Sequence, residues 1–172
     1  NNTGSSKLTE GANPVLGAYR KNYPAVDTTY VMNRLFKDPK AAHAIVRRVE
    51  PFQDAICSTA CIAEDWDIQE NLYRYVPEDA IYKFWSTGTR DLYMHHCNSV
   101  EFGAARSAEA RLLAEDFVRK ADEAIAGGSY AADLRFGHDH PILGLVSYFG
   151  IEGAGDKLSF DQIDDTWFGF QT

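Results

Sequence analysis

The chain has 172 residues, of which 45% are hydrophobic and 24% charged, and its formal net charge is −8. That length supports one domain with a real core, burying roughly 70% of the unfolded surface, and the composition is that of a globular rather than a disordered chain. No apolar run of about 18 residues is present to span a bilayer, and acidic residues spread along the chain argue against a nucleic-acid partner, which needs clustered Lys and Arg.

An acidic chain can still take a small phosphate ester into a local basic pocket. Cys57, Cys61 and Cys97 are an odd set and do not read as a disulfide scaffold. Cys57 and Cys61 fall four apart on one face of a predicted helix and read as plain core residues. Residue 1 is Asn rather than Met, and no secretory signal follows it, so a processed or excised chain is expected.

Residues 1–26 contain Gly, Asn and Pro with weak periodicity, which predicts a loop within an entry segment over 1–37. A short helix is expected from Thr28 to Phe36. Asp38-Pro39 is a helix start, with Asp capping free N–H groups and Pro suited to the first helical position. Ile45, Val49, Phe52, Ile56 and Ala60 then recur at three and four, predicting a helix to about Ala63 that Pro51 kinks or splits. Pro77-Glu78-Asp79 opens a second long helix to about Cys97, loaded with aromatic residues and weakened by Gly88. Aromatics on several of its faces imply either deep burial, the default, or an exposed partner surface.

A third helix is expected from about Ser107 to Ala126, with Leu113, Phe117, Ala121 and Ile125 in one row and Gly127-Gly128 as its stop. Ala131 to Phe136 reads as a strand, Gly137 to His140 as a turn, and Pro141 to Phe149 as a helix ended by Gly150. The tail from Asp161 to Thr172 is acidic and aromatic, and no internal repeat is visible.

A strand feeding a turn and then a helix makes an anion site, because N–H groups at the helix start are unsatisfied and carry partial positive charge. Gly137 gives the backbone room to bend or a ligand room to approach. His138, if protonated, can pair with a phosphoryl oxygen. Asp139, if protonated, can give its proton to a departing alkoxide. The helix start favours the carboxylate and a bound phosphate dianion favours the acid. On local residue types alone, His138-Asp139 before Pro141 is equally a helix cap.

The segment from Ala132 to Ile151, ADLRFGHDHPILGLVSYFGI, resembles the histidine acid phosphatase branch of the histidine phosphatases. Its Leu-Arg-Phe-Gly-His form is most similar to bacterial relatives of multiple inositol polyphosphate phosphatase. The helices before it are similar to the helical cap which that family inserts into its α/β core. The resemblance implies a mostly α chain: a cap subdomain over 38–128, then a strand-turn-helix piece of the α/β core over 129–172.

The resemblance also implies roles. His138 would bind the phosphoryl group and stabilise its transition-state charge. Asp139 would be the general acid, with His140 the other candidate donor, because related motifs place a Glu at that position. Arg135 and His140 are the candidate substrate-binding residues; for Arg135 a structural ion pair stands beside a phosphate contact. Lys83, Arg90 and Lys120 are further candidates for substrate phosphates, beside a plain role as surface charge. The substrate would be a small phosphorylated alcohol, inositol phosphates included, and the location periplasmic or secreted.

The family's nucleophile is a His in an Arg-His-Gly-x-Arg motif, which forms a phosphohistidine. No Arg-His-Gly occurs in these 172 residues, and His43, His95 and His96 lack that context. The expectation is therefore a fragment of a phosphomonoesterase, inactive alone, whose partner is the nucleophile-bearing part of the same protein. No cofactor and no metal are expected: His95, His96 and Cys97 are adjacent on a helix and point apart. The competing reading is a non-catalytic helical interaction domain in which His138-Asp139 is only a cap.

Overall fold

The computed structural model describes residues 3–129, 132–153 and 155–163, and it is mostly helical. Its helices are α1 (Thr3–Asn22), α2 (Thr29–Leu35), α3 (Pro39–Ala42), α4 (Val49–Cys61), α5 (Glu78–His96), α6 (Gly103–Ile125) and α7 (Asp139–Phe149). Short 3-10 turns lie at Glu64–Trp66, Leu72–Tyr75 and Phe160–Gln162. The chain divides into two units, Tyr19–Gly88, and Asn1–Ala18 with Thr89–Thr172.

In the unit Tyr19–Gly88, capping side chains set the helix starts. The Asp27 carboxylate accepts the Thr29 N–H and hydroxyl, both at 2.8 Å, ahead of α2. Those bonds, the hydroxyl's first, hold the Asp27 carboxyl below its usual value. Asp38 accepts the Ala41 N–H at 3.0 Å with Pro39 at the first position of α3, as the sequence predicts. Val31, Met32 and Ala42 form one buried cluster, against which Val49, Phe52 and Ile56 pack. Cys57, Val76 and Ala80 form a second, joined by Tyr73, Ile81 and Phe84.

In the other unit, Tyr93, Met94 and Cys97 from the end of α5 are wholly buried with Ile163. Phe102, Leu143, Leu158 and Phe160 pack around them. The Tyr93 hydroxyl donates to the Asp156 carbonyl and accepts the Leu158 N–H at 3.2 Å. Burial pushes the Tyr93 phenol up to about 12. Helix α7 lies close on α6, since a Cβ built on Gly144 would sit 3.3 Å from that of Ala110.

Several expectations need correcting. Residues 1–26 are not a loop: α1 covers Thr3–Asn22, with Pro14 inside it and Arg20 and Lys21 favourably placed in its last turn. Its Gly and Asn residues mask an apolar spacing that includes the buried Leu16. The break predicted at Pro51 falls earlier, between Ala42 and Val49, leaving Ile45 exposed. Pro51 sits in the first turn of α4, where a missing N–H costs nothing.

Along α6 the row Leu113, Phe117, Ala121, Ile125 runs from half-buried to exposed. Ala110 and Ala114 are buried, whereas Ile125 is exposed. Cys57 is buried, whereas Cys61, the last residue of α4, is exposed at the edge of that cluster, its sulfur 3.4 Å from the Tyr73 hydroxyl.

The strand expected over 131–136 is also absent from what is described. Ala131 lies outside the described residues, and 132–138 form neither helix nor strand. Among the described residues their backbone makes no backbone–backbone hydrogen bond, and a strand exists only where a neighbour supplies that ladder. The single β-bridge described is the parallel pair Ser99 and Leu158. The strand-turn-helix piece is therefore an unpaired segment followed by a helix. Most of the expected acidic tail, from residue 164, lies outside the described residues.

Candidate functional site

Helix α7 begins at Asp139, two residues earlier than the Pro141 start expected, and His138 is its N-cap. The His138 backbone is extended, with φ −97° and ψ 178°, and its imidazole makes no capping hydrogen bond. The apolar run Ile142, Leu143, Leu145, Val146 carries the helix, and Gly150, at φ 61°, ends it in the left-handed conformation glycine tolerates. His138 and Asp139 are thus side by side at a helix start, where Pro141 has no N–H and Asp139 takes that of His140, leaving the Asp139 N–H and the helix dipole to favour an anion.

One oxygen of Asp139 is committed locally. Its Oδ1 accepts the His140 N–H at 2.9 Å and lies 3.6 Å from Nε2 of the same histidine. Among the described residues Oδ2 makes no hydrogen bond. The Asp139 side chain is 64% exposed, so that oxygen is open to an incoming group. His140 is 49% exposed and stacks on His96 of α5, with ring centroids 3.8 Å apart and planes within 8°.

The stacked pair borders a hollow of about 270 Å³, walled also by His95, Ala110, Leu113, Pro141 and Gly144. The Nδ1 of His95 lies 2.9 Å from the Asp91 carbonyl oxygen and donates to it. Its Nε2 is buried with no hydrogen-bond partner among the described residues. His138 and Asp139 do not line this hollow; both are exposed beside it.

Arg135 is engaged within the protein. Its guanidinium pairs with Asp116 of α6 and with Asp133 at 3.2 Å, and lies 5.0 Å from the centre of the Phe117 ring. Hydrogen bonds from Arg119 and Arg135 hold the Asp116 carboxyl below its usual value, and the bond from Arg135 does the same for Asp133. Of the two roles open to Arg135, the ion pair is the one formed.

Lys83 pairs with Glu50 at 3.5 Å, Lys120 with Glu123 at 3.3 Å, and Arg90 lies over the Phe160 ring. Gly137 has no left-handed φ and nothing within 4 Å of a built Cβ, so its surroundings do not require glycine. Among the described residues no three His, Cys, Asp or Glu side chains are grouped as a metal would need. In the stacked pair the ring lone pairs lie in near-parallel planes and do not converge.

The sequence brings His138, Asp139 and His140 together by adjacency. It gives no sign that His96, weighed there only as a nucleophile or metal ligand, meets His140 and links two helices far apart in the chain. Comparison with protein-family models, with curated proteins and with solved structures finds no match.

Proposed function

We propose that this chain is the acid-bearing part of a histidine acid phosphatase-type phosphomonoesterase, acting on small phosphorylated alcohols such as inositol phosphates. The observation that carries the proposal is the open Oδ2 of Asp139 at the first residue of α7, beside the N-cap His138, whose imidazole makes no capping hydrogen bond. The Asp139 N–H, with the partial positive charge of the helix start, and the His138 imidazole receive the phosphoryl oxygens. A histidine nucleophile from outside these 172 residues forms an N–P bond as the P–O bond to the alcohol breaks. Asp139 gives that alcohol oxygen its proton, and water later cleaves the phosphohistidine. With Oδ1 accepting the His140 N–H, Oδ2 is the oxygen left to face the leaving alcohol, so the reading takes Asp139 as the acid, with His140 the other candidate donor.

A second feature supports the reading. Leu134 and Phe136, in the unpaired segment leading to His138, are 76% and 94% exposed. Side chains that apolar call for cover, and the unused backbone groups beside them call for a strand partner. Both are what a core strand would present without the rest of its sheet. The exposure of His138 and Asp139 then belongs to a half-site whose other wall is the nucleophile-bearing part. A periplasmic or secreted location belongs to the same proposal.

One observation favours the competing interaction-domain reading: Asp139 satisfies the His140 N–H at the helix start, as a purely structural residue there would. The gene sequence encoding the residues ahead of Asn1 separates the two. An Arg-His-Gly-x-Arg segment there supports the phosphatase, and its absence supports the interaction domain.

A further inference from the structure

We infer that His96 is a positioning residue for the Asp139–His140 pair, a role that rests on the phosphatase reading above. Helix α5 ends in a rigid setting: Tyr93, Met94 and Cys97 around His96 are wholly buried. The close approach of Gly144 to Ala110 fixes α7 against α6 and brings the start of α7 to this place. There the His140 ring lies flat on His96 at 3.8 Å, face to face rather than edge-on.

Half of the His140 side chain is otherwise in solvent, so the stack is what selects one ring orientation from the rotamers open to it. That orientation keeps Nε2 near Oδ1 of Asp139, at 3.6 Å. The same oxygen accepts the His140 N–H, so the carboxyl is held on one side and Oδ2 is turned to the incoming ester. A general acid acts only when its proton points at the leaving oxygen, and a misplacement of about 1 Å can cost on the order of 100-fold.

Two variants test the role: His96→Ala, which removes the stack, and His96→Phe, which keeps a flat ring. In the 172-residue protein labelled with ¹⁵N-histidine, the His140 ring protons of the wild type are expected upfield from the face of His96. His96→Ala should lose that shift and His96→Phe should keep it. In the full-length gene product, His96→Ala should lower kcat for alkyl phosphates about tenfold or more, as expected for a misplaced acid. KM and the turnover of an activated aryl phosphate should change little, and His96→Phe should restore the alkyl rate. Turnover with His96→Ala equal to wild type, or reduced alike for both esters, overturns the role and leaves the phosphatase reading standing. No turnover of any phosphate ester by the wild type overturns both, and an unchanged His140 shift in His96→Ala overturns the stack itself.

Discussion

Arg135 forms an ion pair with Asp116, tying the unpaired segment before α7 to the surface of α6. Asp133 joins the same guanidinium, and both carboxyls are held below their ordinary value of 3.8. A folded-state pKa depressed in this way contributes stability above the unfolded value, and that contribution is lost as pH falls through the folded value. Asp116→Asn should therefore lower Tm relative to wild type at pH 5 to 7, with the gap closing below 3.8. The pair is exposed, so added salt should narrow the gap as well. A Tm difference unchanged by both acid and salt contradicts the ion pair.

Two glycines in long helices should respond oppositely to alanine. Gly88, inside α5, has nothing within 4 Å of a built Cβ, so Gly88→Ala should stabilise by about 0.5–1 kcal/mol through helix propensity. Gly103 opens α6, where a Cβ would lie 2.5 Å from the Asn98 carbonyl carbon. Gly103→Ala should destabilise by about 1–3 kcal/mol, because backbone must move. Urea unfolding midpoints of the two variants check both signs.

The three cysteines should react unequally. Burial pushes the Cys57 and Cys97 thiols up to about 12, so neither supplies thiolate near neutral pH, whereas Cys61 is exposed. Iodoacetamide on the native protein should modify Cys61 first, and Cys57 and Cys97 only after denaturant is added. Mass spectrometry of the labelled peptides gives the order, and early labelling of Cys97 contradicts the packing around Tyr93.

What was legible in the sequence was local. Asp38-Pro39 marks the start of α3, and Gly127 and Gly150 close α6 and α7 with positive φ. The adjacency of His138, Asp139 and His140 needed no tertiary information. Other features did not follow from local pattern. Residues 132–138 have strand-like composition, but strand hydrogen bonds depend on a neighbour that composition does not supply. Cys57 and Cys61 share a helix face, yet how far the core extends along α4 is a tertiary matter. The approach of His96 to His140 depends on how α5, α6 and α7 pack, and neither histidine has a neighbour in the chain that announces it.

The most direct test is the leaving-group dependence of Asp139→Asn in the full-length gene product, measured with an alkyl phosphate and an activated aryl phosphate. Asp139 as general acid predicts a loss of about 100-fold or more in kcat/KM for the alkyl ester and a much smaller loss for the aryl ester. Equal losses on the two esters would contradict it.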